Sequence, residues 1–208
     1  MTILQDIESI VGKKGLIIGD DVFNRKAGIW IDDGIRADAI VRPKDTYELA
    51  KVLSICNKHS QAVIPHGGLT GLAEGAITQQ GQIAISSERL TAIEEVDEIG
   101  RTMTVEAGVP LEKAQQEAEK YNLMLPVDLG ARGSCTVGGN ISTNAGGNMV
   151  IKYGMMRDSV LGLEAVLADG QIMTSMNQML KNNSGYDLKQ LFIGTEGTLG
   201  FITKAVLR

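Results

Sequence analysis

The glycines of this chain are unevenly placed: they bunch at residues 67–75, 130–147 and 194–200. Glycine gives up more backbone freedom on folding than any other residue, so dense bunches mark places where the backbone itself approaches something closely. Of 208 residues, 25 are glycine, a share well above the usual figure of about 7%. Aromatic residues supply only 4%. A fold for this sequence must therefore hold three glycine-rich loops in place.

The remaining composition excludes several classes. A hydrophobic share of 43% with 22% charged residues is that of a folded protein, not a disordered one. The net charge of −5 and the lack of any Lys/Arg stripe argue against a nucleic-acid partner. Cys56 and Cys135 stand alone, with no CxxC and no His nearby, so neither a disulfide framework nor a metal site is expected. The opening MTILQDIESIVGKKG carries charges every few residues and reads as neither signal peptide nor membrane span. No apolar run of membrane-spanning length follows. The expected location is cytoplasmic, in a reduced compartment.

Hydrophobic periodicity gives a coarse order of elements. Apolar positions 3, 4, 7, 10 and 11 predict a short amphipathic helix. A strand over 39–42 closes at Pro43, and Asp45 or Thr46 caps a helix running to about His59. Strands follow at 62–65 and 82–86, a mainly parallel β-α-β opening. Residues 92–97 and 102–107 flank a turn like a hairpin, Pro110 starts a helix to Tyr121 with Asn122 as its stop, and 137–144 hold one or two buried helical turns. Ala168-Asp169-Gly170 joins two further strands, and 201–207 is the last. The expected class is α+β: a lead-in over 1–35, a small lobe over 36–90, and a larger lobe over 91–208 with an antiparallel sheet flanked by helices.

Three segments carry candidate chemistry. In Val63–Gly71 a strand meets Pro65 and enters a loop with three glycines in five residues, able to aim successive backbone N–H groups into one concavity that suits a diphosphate. It is neither a GxGxxG fingerprint nor a GK[ST] loop. The stretch Asp128–Gly147 holds six glycines with embedded Val137 and Ile141, and reads as a wall of backbone amides and small polar side chains around a large polar ligand. Gly194–Ile202 is a glycine-punctuated turn running into the final strand.

The segments PHGGLTG, DLGARGSCTVGGNISTNAGG, YGMMRDSVLGLEAVLADG and NNSGYDLKQLFIGTEGTLGFIT, in this order, resemble the FAD-binding domain of the vanillyl-alcohol oxidase / p-cresol methylhydroxylase superfamily. The resemblance runs from about Asp38 to Arg208 and is strongest to the FAD-linked D-2-hydroxyacid dehydrogenases, the group of D-2-hydroxyglutarate dehydrogenase, D-lactate dehydrogenase and the glycolate oxidase large subunit. It implies a two-lobed domain with FAD extended between the lobes. Pro65, His66, Gly67, Gly68, Leu69, Thr70, Gly71 and Leu72 would wrap the pyrophosphate. Gly133, Ser134, Cys135, Val137, Gly138, Gly139, Asn140, Thr143, Asn144, Ala145, Gly146 and Gly147 would line the isoalloxazine and ribityl side. Glu196, Gly197, Gly200 and Ile202 would meet the cofactor from the second lobe.

One departure bears on the flavin linkage. Relatives with a covalent flavin on this loop carry a His directly after the two glycines, where this chain has Leu69, so the FAD is expected to be non-covalent. In the resembled group the base, the carboxylate-binding Arg and metal-binding His and Glu come from a C-terminal cap domain, so no catalytic residue is assigned here. The expected chain is the flavin domain of an oxidoreductase that converts a small D-2-hydroxy acid to the 2-oxo acid, silent by itself and prone to form a homodimer. A stand-alone FAD-carrying subunit and an unrelated nucleotide or sugar-phosphate module are the other readings.

Overall fold

The computed structural model describes residues 2–208. Helix α1 (Ile3–Val11) opens on a capping box: the Thr2 hydroxyl accepts from Gln5 N–H, and the Gln5 side chain accepts from Thr2 N–H. Its apolar stripe buries Ile7 and Val11. Strand β1 (Leu16–Ile18), helix α2 (Asp20–Phe23) and the hairpin of β2 (Lys26–Gly28) and β3 (Ile31–Gly34) follow. None is long enough to print a period on the sequence, which offers only a lead-in there.

Strand β4 (Ala39–Val41), helix α3 (Thr46–Lys58), and strands β5 (Val63–His66) and β6 (Ile83–Ser86) form the expected β-α-β opening. Asp45 is the cap of α3, its carboxylate accepting from Glu48 N–H at 2.8 Å. The sheet order is β1-β4-β6-β5, with β4, β6 and β5 parallel and β1 antiparallel at the edge. Residues 1–35 thus contribute a strand to this sheet.

The second sheet has the order β10-β9-β11-β8-β7 and is antiparallel throughout. Its strands are β7 (Ile93–Asp97), β8 (Thr102–Glu106), β9 (Val160–Val166), β10 (Ile172–Ser175) and β11 (Phe201–Leu207). Between β8 and β9 lie α4 (Leu111–Glu119), α5 (Val137–Ser142), α6 (Val150–Tyr153) and α7 (Met156–Ser159). Helix α4 ends two residues before the expected Tyr121. Asn122 takes φ +54°, and Leu123 N–H closes back on the Ala118 carbonyl, so the stop residue is the expected one. Leu111, Ala114, Val137, Ile141 and Met156 pack on this sheet as its core. The α+β class stands.

The two sheets share material. The core under α1 and α3 takes in Val166 and Phe201 from the second sheet. The Glu164 carboxylate on β9 accepts from the hydroxyl of Thr46, at the start of α3, at 2.7 Å and from that of Thr203, on β11, at 2.8 Å. Gly170, in the β9–β10 turn, has φ +90°, and a Cβ there would stand 2.5 Å from the Ala50 carbonyl of α3. These contacts fix the lobes against each other. Replacing Glu164 by Leu leaves the fully buried Thr203 hydroxyl and the Thr46 hydroxyl without this acceptor. It should cost about 2 kcal/mol, within the range for orphaning a buried polar group. The readout is the urea midpoint; no change would show that apolar packing alone holds the lobes together.

Candidate functional site

A cavity of about 940 Å³ lies between the lobes. Its volume is at the upper end of the range for small-molecule sites, about 300–1,000 Å³, so it can take a dinucleotide-sized ligand. Its walls are the tip of the β2–β3 hairpin, the loop after β5, the approach to α5 with α5 itself, and the entry to β11. Of the residues expected here, Pro65, His66, Gly67, Gly68, Leu69, Thr70, Gly71 and Leu72 all line it. So do Cys135, Gly138, Gly139, Asn140, Thr143, Ala145, Glu196, Gly197 and Ile202.

Seven expected residues do not line the cavity, and packing explains each. Val137 is fully buried in the second core. A Cβ on Gly133 would meet the Glu112 carboxylate at 3.2 Å, one on Gly146 the Val150 side chain at 2.7 Å, and one on Gly200 the Phe192 ring at 2.9 Å. Gly147 lies hard against the Asp128 carbonyl. Asn144 is engaged elsewhere, its Oδ1 accepting from Arg157 N–H at 3.0 Å. Ser134 serves the loops: a Cβ on Gly68 would stand 2.0 Å from its carbonyl oxygen, so the first glycine loop rests directly on the backbone of the second.

The two loops differ in how they use their amides. Among the described residues, no N–H from Gly67 to Ala76 donates to an acceptor in the chain. Much of the second stretch binds itself. Cys135 N–H goes to Ala131, Gly138 to Ala107, Asn140 to Thr136, Thr143 to Gly139 and Ala145 to Asn140, all at 2.7–3.0 Å. The expected wall over 128–147 is thus only partly open: its helical part binds itself, while the N–H groups of Leu129, Gly130, Ala131 and Thr136 line the cavity without an acceptor among the described residues, and the longest unbroken run of open donors belongs to the first loop. Backbone donors need partners, and a concavity of such amides suits an anion.

Side-chain charge adds nothing to this, so an anion there would rely on backbone dipoles. The cavity lining holds no Lys or Arg; its acidic side chains are Glu74 and Glu196. His66 is 2% exposed, and its Nε2 lies 2.9 Å from the Ala76 carbonyl, an acceptor only, so Nε2 carries the proton. Burial pushes its pKa below 6.5 despite that carbonyl, and the ring is neutral at pH 7. The contact also ties the base of the open loop to its far end. Nearby, burial would raise the Glu88 carboxyl, but hydrogen bonds from Arg25 at 2.7 Å and Arg42 at 2.9 Å hold it below its ordinary value. Burial raises the Cys135 thiol, which therefore stays protonated at neutral pH. Leu69, Glu74 and Glu196 have φ between +53° and +61°, though none is glycine. Such strain, on the order of 1 kcal/mol per residue, concentrates at ligand sites.

Sequence reasoning misses several lining residues: Ile29, Trp30 and Ile31 at the hairpin, Ala73–Ile77, Ser87 and Ala107. Trp30, the only tryptophan, is 77% exposed; its solitary place in an aromatic-poor chain is the one signal that marks it. Ser87 Oγ is buried and, among the described residues, has no hydrogen-bond partner. A diphosphate fits this set: open amides, an unpaired hydroxyl, and apolar walls at Ile29, Trp30 and Leu72 for ring systems.

Comparison with known proteins agrees. A sequence profile described as a FAD binding domain matches residues 37–175. Over 201 residues the chain is 42% identical to a probable D-2-hydroxyglutarate dehydrogenase, mitochondrial, of Oryza sativa subsp. indica, covering 96% of this chain and 36% of that protein. Over 167 residues it is 46% identical to the D-2-hydroxyglutarate dehydrogenase, mitochondrial, of Danio rerio, covering 80% and 31%. A solved alkyldihydroxyacetonephosphate synthase superposes with a TM-score of 0.85 at 22% identity, covering 99% of this chain and 39% of that one; this likeness concerns the fold. The chain spans about a third of the length of the curated relatives it matches. Their mitochondrial names overturn the cytoplasmic expectation, which rested on opening residues that do not discriminate cytoplasm from organelle. Among the described residues no helix is long and apolar enough to cross a membrane.

The contact between the loops yields a prediction. Gly68→Val puts carbon into the Ser134 carbonyl and must push the first loop off the second. FAD affinity, followed by flavin fluorescence, should fall at least tenfold, about 1.4 kcal/mol. Unchanged affinity would make the loop an ordinary turn.

Proposed function

Because the chain belongs to the family of FAD-binding domains, we propose that it seats FAD non-covalently within a protein that oxidises a D-2-hydroxy acid to the 2-oxo acid. The observation that carries the reading is the run of unbonded amides from Gly67 to Ala76 at a cavity without cationic side chains. The substrate class is supported by the names of the relatives from rice and zebrafish.

When bound, FAD supplies the hydride acceptor. The chain's own residues bind and orient it. The amides of Gly67–Ala76 hold the diphosphate, His66 holds that loop closed through the Ala76 carbonyl, and α5 with Thr136, Asn140 and Thr143 forms the opposite wall. Gly197 and Ile202 close the cavity from the β11 side. In this reading residues 36–90 and 91–208 are the two FAD-binding lobes, with α1 and β1 of the lead-in completing the first.

Non-covalent binding follows from the side chains available. Leu69 has no nucleophilic atom where a linking His would stand, and burial keeps Cys135 a thiol. The same inventory separates binding from turnover. Oxidising a 2-hydroxy acid needs a base and a clamp for the carboxylate. His66 is neutral but enclosed, and no Lys or Arg lines the cavity. Base and clamp thus come from elsewhere in the whole protein.

Trichloroacetic acid should leave all the yellow colour of the FAD-loaded chain in the supernatant; colour in the pellet would contradict non-covalent binding. The whole protein should reduce an artificial electron acceptor with D-2-hydroxyglutarate or D-lactate. The 208 residues alone should stay below about 1 turnover per second, the low end for enzymes. Faster turnover would place base and clamp within them.

A further inference from the structure

We infer that the Ser87 hydroxyl donates a hydrogen bond to the diphosphate of bound FAD. The inference rests on the reading that FAD occupies the cavity, and adds to it a side chain outside the glycine motifs.

Ser87 directly follows β6, which lies between β4 and β5 in the parallel part of the first sheet. The crevice beyond the carboxyl ends of parallel strands is where such sheets take their ligands. Ser86 and Ser87 stand there side by side and use their hydroxyls differently. The Ser86 hydroxyl lies 3.3 Å from Glu88 Oε2 and accepts from Glu88 N–H at 3.3 Å, which draws it into the Arg25–Glu88–Arg42 cluster. Ser87 is 3% exposed and lines the cavity, yet its Oγ has no partner among the described residues. A buried hydroxyl without a partner is costly, and the cost is recovered when a ligand supplies one.

The backbone of Ser87 is held on both sides. Its N–H donates to the His66 carbonyl at 3.0 Å, and a Cβ on Gly108 would stand 2.0 Å from its own carbonyl oxygen. The hydroxyl cannot find a partner by a backbone shift. The bond to His66 also selects the end of the ligand, because His66 opens the loop whose amides are free. Hydroxyl and amides therefore converge on one group. Phosphate oxygens only accept, and a serine hydroxyl can donate, so the two are matched without any cation.

Two measurements on Ser87→Ala test this. Calorimetric titrations with FAD and with ADP should each show affinity about tenfold weaker than the unaltered chain. The urea midpoint of the ligand-free protein should be unchanged or raised, since no hydrogen bond within the chain is lost. A hydroxyl with a structural role would instead lower that midpoint, and this result overturns the inference. So does unchanged FAD affinity, or a loss with FAD but not ADP, which would assign the hydroxyl to the flavin end. If the unaltered chain bound no FAD, the cofactor reading itself would fall, and this inference with it.

Discussion

The carbonyl oxygen of Ser134 occupies the space where a side chain at residue 68 would be, and this contact decides how the two long glycine segments face one another. The helical part of the second segment satisfies itself: Cys135, Gly138, Asn140, Thr143 and Ala145 all spend their amides within a few residues or on Ala107. The first segment leans on that support and keeps its own amides open from Gly67 to Ala76. In a chain of net charge −5 whose cavity lining has no Lys or Arg, the proposed seat offers an anionic group backbone dipoles fixed in place before it arrives.

The seat is only as stable as the fit between the lobes. Helix α3 provides it, packing through Leu49, Val52 and Leu53 over the first sheet and meeting the β9–β10 turn at Gly170. The Glu164 carboxylate joins Thr46 of α3 to Thr203 of β11, so both sheets share one buried polar link. Buried polar links of this kind hold one arrangement because any other leaves hydroxyls unpaired.

Local chemistry was legible wherever a residue decided the backbone by itself. Asp45 as a cap, Asn122 as a stop and Asp169-Gly170 as a hairpin turn each act within a few residues. The first glycine loop was legible for the same reason, and all of Pro65–Leu72 reaches the cavity. Tertiary partners were hidden. Whether an amide in 128–147 is free depends on carbonyls such as that of Ala107, distant in sequence. The unpaired state of Ser87 depends on what packs around it, and the hairpin carrying Trp30 is too short to show a period. Location could not be read either, since charges in the opening residues do not discriminate between compartments.

The central claim is that the backbone amides of Gly67–Ala76 form the phosphate seat. Amide chemical shifts of the nitrogen-labelled chain, followed during titration with ADP, test it most directly. The account predicts the largest changes on Gly67–Ala76, with smaller ones on 133–147, whose helical part is self-bonded. Large changes on 133–147 with Gly67–Ala76 unmoved would contradict it.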